Sequence, residues 1–292
     1  MAKITFGSVK NQGVRYGWYG RGGAGKTTMA LKTALRTKGK VAVLDAEGSL
    51  APLLSTLKRQ GFDMDRVVTI PATNVEELLD VLRSHESFAD ITAIVIDSMT
   101  TLDGWYGDYI RYHFKPSKTN GGLDFTEERS ETPLKTRESF GFGKDNTAAY
   151  ETNDFLLAEL DEHVAAGRDI HLIMHECDVT MEDARGTTKE TQPRLQCPNS
   201  GKNSIRHRVK EWLDNLGYVF RSRVMDEEGH VKSVGGRFVA FSEVGTGVPG
   251  MDGTFWAKGR TVRGIHEISD LDAPKADAKK DDGNNETKKE VK

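Results

Sequence analysis

One run constrains this chain more than any other: Gly20-Arg21-Gly22-Gly23-Ala24-Gly25-Lys26-Thr27-Thr28. It fits G-x-x-x-x-G-K-[ST] in full. An apolar run at residues 14–19 precedes it, and the helix-forming stretch Met29-Ala30-Leu31-Lys32 follows. Glycines admit positive φ, so successive N–H groups can turn inward on a phosphate. A helix opening at Lys26 adds the positive end of its dipole. Lys26 then offers a point charge to the β- and γ-phosphates, and the Thr27 hydroxyl suits a magnesium ion. The whole stretch from Gly20 to Thr28 is the expected nucleotide-binding loop, with ATP and Mg²⁺ as its ligands.

The rest of the chain alternates short apolar β-branched runs with amphipathic stretches, the pattern of parallel strands joined by helical crossovers. Strands are expected at residues 14–19, 41–44, 67–70, 93–96 and 170–174. Helices are expected at 27–37, 75–84 and 147–166; the second places Leu78, Leu79 and Leu82 on one face, with Val75 close by. Residues 238–241 and 253–256 read as antiparallel strands closing the sheet. Two glycine- and charge-rich segments, 115–144 and 178–203, read as long functional loops. Residues 273–292 hold no aromatic residue and only Val291 as a β-branched aliphatic. Such a segment cannot offset its ordering entropy by burial, so a domain at 1–272 and a disordered mixed-charge tail at 273–292 are expected.

Lys+Arg number 41 against 44 Asp+Glu, a net charge of -3, so nucleic-acid contact would need a local basic patch rather than a global excess. The longest apolar runs fall far short of the ~18 residues of a membrane span, and the start lacks a secretory signal. Two cysteines, Cys177 and Cys197, exclude a disulfide scaffold. These features point to a cytoplasmic protein with no membrane partner. His171, His175 and Cys177 fall on one face of a strand, yet no second pair completes a zinc pattern.

Hydrolysis needs carboxylates around the phosphates. Ala93-Ile94-Val95-Ile96-Asp97-Ser98 is an apolar strand ending in an acid, placing Asp97 behind the magnesium with Thr27. Val41-Ala42-Val43-Leu44-Asp45-Ala46-Glu47 ends a second strand in two acids. Glu47, further out on the loop, is the favoured base for the attacking water, with Asp45 as the alternative.

The run from Val41 through Leu50-Ala51-Pro52, with its spacing from the phosphate loop and onward to Ile94-Val95-Ile96-Asp97-Ser98, resembles the bacterial RecA recombinases. The whole chain resembles phage-encoded RecA-type ATPases linked to single-strand annealing, through Leu172-Ile173-Met174-His175-Glu176, Gly201-Lys202 and Ala257-Lys258-Gly259-Arg260-Thr261. The resemblance implies a RecA-like P-loop α/β fold, with a central mostly parallel sheet flanked by helices and antiparallel C-terminal strands. It implies Glu47 as catalytic glutamate and His175 as the polar sensor of the γ-phosphate. It also implies Lys258 and Arg260 as cations reaching a neighbouring subunit's nucleotide, hence a homo-oligomer, ring or filament. The sequence departs from RecA after Glu47, where no ring stands to stack on adenine, and at His175, where RecA has glutamine.

In such folds the loops after the Asp97 strand and after the sensor strand face DNA. The first, residues 105–144, interleaves Trp105, Tyr106, Tyr109, Tyr112, Phe114, Phe125, Phe140 and Phe142 with basic residues. Trp105, Tyr109 and Tyr112 also stand at helical spacing, which equally suits a core. The second carries Arg185, Lys189, Arg194, Lys202, Arg206, Arg208 and Lys210 against Glu190 alone, the candidate contact for single-stranded DNA. The favoured reading is an ATPase acting on single-stranded DNA in phage recombination or annealing, inside a bacterial host, with a single-strand-binding protein or replication partner. Its rivals are a nucleotide-switched assembly factor such as a helicase loader, and a P-loop small-molecule kinase.

Overall fold

The computed structural model describes residues 12–117, 122–135, 140, 144–183, 186–195, 204–225, 231–241 and 254–271. The tail at 273–292 lies outside the described residues, as do Arg185 and Lys202; of Lys189 only the backbone is described.

The chain runs β1 (Arg15–Gly20), α1 (Lys26–Ala34), β2 (Lys40–Asp45), α2 (Leu50–Arg59), β3 (Val67–Thr69), α3 (Val75–Arg83), β4 (Ile91–Asp97) and α4 (Met99–His113). It continues through β5 (Phe114–Pro116), β6 (Leu123–Phe125), α5 (Lys144–Ala165), β7 (Asp169–Asp183), β8 (Gly186–Pro193) and α6 (Ile205–Trp212). It ends with β9 (Asn215–Met225), β10 (Val231–Ala240), β11 (Thr254–Phe255), β12 (Lys258–Gly259) and β13 (Ile265–Glu267). The main sheet has the order β13-β10-β9-β1-β7-β4-β2-β3. From β9 to β3 every neighbour is parallel, while β10 and β13 add antiparallel edges.

The apolar runs are strands because both faces of the sheet are covered. On β4, Ala93 and Val95 pack with Met29, Leu31 and Val41 beneath α1. Ile94 and Ile96 point the other way, into a core with Leu78, Leu82, Ile110, Leu156 and Leu160 from α3, α4 and α5. Side chains alternate across a strand, so a helix layer on each side demands apolar residues at every position.

The five expected strands all form, and the expected helices match α1, α3 and α5. Three expectations need correction. Segment 178–203 is not a loop at its start: β7 runs to Asp183 and returns antiparallel as β8. Within 105–144, Trp105 and Tyr109 belong to α4, and β5 and β6 form a small hairpin. Tyr106, Tyr109, Phe114 and Phe140 are buried, and Arg129 stacks 3.6 Å over Tyr112, so most of these rings are spent on packing. β11 is not antiparallel; it pairs parallel to β8. His171 is fully buried and accepts a hydrogen bond from Trp18 Nε1 at 3.2 Å, a packing role.

Candidate functional site

β1 ends at Gly20, and five residues later α1 begins. Gly20 has φ 153° because β9 lies against it: a Cβ there would sit 2.1 Å from the Val219 carbonyl oxygen. Gly23 and Gly25 have φ 70° and 108°, turning the loop back over itself. Gly25 caps α1 in the left-handed region, and no side chain occupies the helix N-terminus and no acid stands in its first turn. By contrast, α3 is capped by the Asn74 side chain and opens with Glu76 and Glu77. The uncapped N–H groups of α1 are thus open to an outside anion.

Lys26 is only 7% exposed, and its Nζ donates to the Arg21 carbonyl at 3.0 Å within the loop. Burial lowers its pKa, opposed by the charges of Asp97, Glu47 and Glu176. The Thr27 hydroxyl donates to Asp97 Oδ2 at 2.7 Å. Burial lifts the Asp97 carboxyl to about 6, against the Thr27 hydrogen bond and with help from the charges of Glu47 and Asp45. A threonine hydroxyl with a carboxylate directly behind it is the donor set for a hard, oxygen-seeking cation, so the residues present fit magnesium.

Glu47 sits on the turn after β2 and gathers partners from two other strand ends. Its Oε1 accepts from the Ser98 hydroxyl, lies 2.8 Å from His175 Nε2 and accepts from Thr101 Oγ1 at 3.4 Å. Burial pushes its pKa up, but the Ser98 and His175 hydrogen bonds and the charges of His175 and Lys26 outweigh this and hold it below the usual range. Asp45 serves elsewhere: its two oxygens accept from Ser49 N at 2.9 Å and Leu50 N at 3.0 Å, closing the start of α2. β7 lies between β1 and β4, which brings His175 to the level of Gly20 and its ring to Glu47.

The sequence missed further groups here. Glu176 forms a 2.7 Å ion pair with Arg21 and accepts from the Tyr218 hydroxyl at 3.0 Å, tying the loop to β7 and β9. Arg221 Nη2 donates to the Gly23 carbonyl at 3.0 Å. Ser98 was legible only as the residue after Asp97.

Other candidates do not join this cluster within one chain. β12 pairs with the first residues of β9, beside Tyr16 and Gly17 of β1. That is the sheet edge opposite the phosphate loop, about 10–13 Å of strand away. Lys258 Nζ donates to the carbonyls of Lys210 at 3.1 Å, Glu211 at 2.8 Å and Leu213, at the end of α6. Arg260 pairs with Asp214 at 3.2 Å. Neither reaches its own chain's loop.

The basic stretch is dispersed too. Arg206 is 8% exposed and donates to Gln192 Oε1 at 2.8 Å, so it faces inward and leaves the expected DNA surface. Arg208 pairs with Asp154 on α5 at 2.7 Å. Arg194 is exposed, at the base of the β7–β8 hairpin. α6 ends at Trp212, and β9 begins at Asn215.

A phosphate loop, a hydroxyl–carboxylate pair for a cation and a gathered glutamate define a P-loop ATPase. The chain belongs to the AAA domain family, which matches residues 12–244. No curated protein matches it. Among solved structures, the KaiC-like protein PH0186 from the hyperthermophilic archaeon Pyrococcus horikoshii OT3 is similar with a TM-score of 0.43 and 13% identity, over 88% of this chain and 90% of that one. The RadB recombinase gives a TM-score of 0.41 and 15% identity, over 79% and 80% respectively. Among the described residues no helix is long and apolar enough to cross a membrane.

Proposed function

We propose that this P-loop ATPase hydrolyses ATP with Glu47 as the base and couples that turnover to single-stranded DNA, as a RecA-like homo-oligomer serving phage recombination or annealing. The observation that carries the hydrolytic part is the convergence of Ser98, Thr101 and His175 on Glu47 Oε1, beside Lys26 and the Thr27–Asp97 pair. Glu47, kept ionised, takes a proton from the attacking water as the water oxygen bonds to the γ-phosphorus. ADP leaves, and Lys26 with the loop N–H groups holds the charge that develops on the phosphate oxygens. Thr27, backed by Asp97, would hold a magnesium ion, which would supply positive charge to offset that on the phosphates. His175 Nε2 lies 2.8 Å from Glu47 Oε1, so a γ-phosphate that draws the imidazole toward itself would free the base for water.

The DNA contact is assigned to the β7–β8 hairpin, which leaves the sheet directly after His175 and has the exposed Arg194 at its base; Arg185 and Lys202, also expected to contact DNA, lie outside the described residues. The His175 backbone N–H donates to Thr100 Oγ1 at 3.0 Å, and Arg194 N–H donates to the His175 carbonyl at 2.7 Å. A shift of the hairpin is thereby felt at the sensor.

The test is steady-state ATP hydrolysis with and without single-stranded DNA, at low and high salt, with Lys26→Ala as blank. Stimulation lost at high salt is the expected result. Turnover indifferent to DNA would remove the DNA part and point to a protein partner, as for a loading factor.

A further inference from the structure

Beyond β1 the sheet does not stop. β1 ends its pairing with β9 at Tyr19 opposite Tyr218, yet β9 runs on to Met225 with β10 beside it. The extension is about 20 Å of two-stranded ribbon standing along one side of the phosphate loop. Val219 and Val239 face the α1 side of the sheet, packed in its core. By strand alternation Arg221 and Arg237, two residues further out on each strand, face the same side, and they are opposite each other in the ladder.

Both arginines sit at the loop. Arg221 Nη2 holds the Gly23 carbonyl at 3.0 Å. Arg237 lies along Gly25, where a Cβ would meet its Cδ at 3.2 Å and its Nε at 3.7 Å, with Ile268 Cδ1 at 3.1 Å. Gly25 directly precedes the open N–H groups of α1. Among the described residues neither guanidinium has a carboxylate partner, and like charges directly opposite in a ladder repel. Burial and the neighbouring Arg221 both press the Arg237 pKa downward, so this pair is electrostatically unfavourable until an anion arrives.

The sheet order fixes which part of a nucleotide would bring that anion. Asp97 and Glu47, which serve the γ-phosphate, stand on β4 and after β2, on one side of β1; β9 and β10 stand on the other. A triphosphate laid across the loop with its γ end at Glu47 presents its nucleoside end to the ribbon. We propose that Arg237, backed by Arg221, binds the nucleoside-proximal phosphate of ATP and ADP within the same chain. This deepens the ATPase reading and rests on it. It assigns the cationic wall to nucleotide affinity rather than to the chemical step.

The experiment is calorimetric titration of the full chain with ADP, and separately with the non-hydrolysable analogue AMP-PNP and Mg²⁺, for the parent, Arg237→Met, Arg237→Lys and Arg221→Gln/Arg237→Met. Methionine keeps an apolar stem against Gly25 and Ile268 while removing charge. In Arg237→Met, Kd should rise about tenfold for both ligands, with Lys recovering part of the loss and the double variant losing more. The ligand-free melting temperature should hold or rise, because like-charge repulsion is removed. Weakened AMP-PNP binding with unchanged ADP binding would move Arg237 to the γ-phosphate and overturn the assignment. Unchanged affinity for both ligands would overturn it as well. A parent chain that binds neither ligand would defeat the phosphate-loop reading itself, which Lys26→Ala reports separately.

Discussion

His175 Nε2 lies 2.8 Å from Glu47 Oε1, across a sequence separation of 128 residues. The contact joins Glu47, the proposed base, to the strand that separates the phosphate loop from Asp97, so the proposed chemistry depends on β2, β4 and β7 being held in register. Glu47→Gln should bind ATP as the parent does and lose hydrolysis by about 10²–10⁴-fold. Turnover near the parent's would move the base to Asp45, which would then have to leave its two backbone donors at the start of α2.

Lys26 is packed beneath the loop, with its ammonium on the Arg21 carbonyl. Lys26→Ala should abolish nucleotide-dependent activity and the upward shift of melting temperature that ATP gives the parent. A thermal shift that persists undiminished would place the nucleotide elsewhere.

Asp97 carries a pH signature. Its pKa is raised from 3.8 to about 6, so the folded chain holds this proton more tightly than the unfolded chain does. The stability this group contributes is full below its unfolded pKa and is lost as pH climbs through about 6. Asp97→Asn keeps an acceptor for Thr27 and removes that dependence. Its stability advantage in urea melts should therefore grow by about 2 kcal/mol between pH 4.5 and pH 8. Magnesium needs the ionised carboxylate, so the magnesium-dependent part of nucleotide affinity should fall in the parent below about pH 6. A stability difference independent of pH would refute the raised pKa.

Lys258 and Arg260 separate into two roles. Lys258 closes the end of α6, so Lys258→Ala should cost about 1–3 kcal/mol of stability whatever the assembly state. Arg260, mostly exposed and paired only at the surface with Asp214, can be removed at little cost in stability. Mixing Lys26→Ala chains with Arg260→Ala chains should restore part of the lost turnover, because each hybrid interface can hold one intact loop and one intact arginine. No recovery in a mixture shown to co-assemble would remove the trans role.

The strands around the site were legible because a sheet covered on both faces writes itself as unbroken apolar runs, as at Ala93-Ile94-Val95-Ile96. The loop was legible because its glycines and Lys26 are adjacent in sequence. The β7–β8 hairpin was not: its threonines and acids pair backbone to backbone beyond the core, where no apolar pattern is needed. Counting charges placed Arg206 on a surface, but only the packing of α6 against Gln192 and Cys177 shows that it points inward. Arg221 and Arg237 escaped notice because their pairing depends on the register of the antiparallel β9–β10 ladder.

The glycines of the phosphate loop answer to different neighbours. A side chain at Gly20 would strike the Val219 carbonyl, whereas a Cβ on Gly22 would meet nothing within 4 Å. Gly20 is thus answerable to the protein, and Gly22 to whatever fills the hollow. A methyl group at position 22 meets no protein atom within 4 Å and adds no charge, while taking up room beside the loop. Gly22→Ala is therefore expected to fold as the parent does and to bind nucleotide more weakly, which would separate partners that recognise the fold from those that recognise its loaded state.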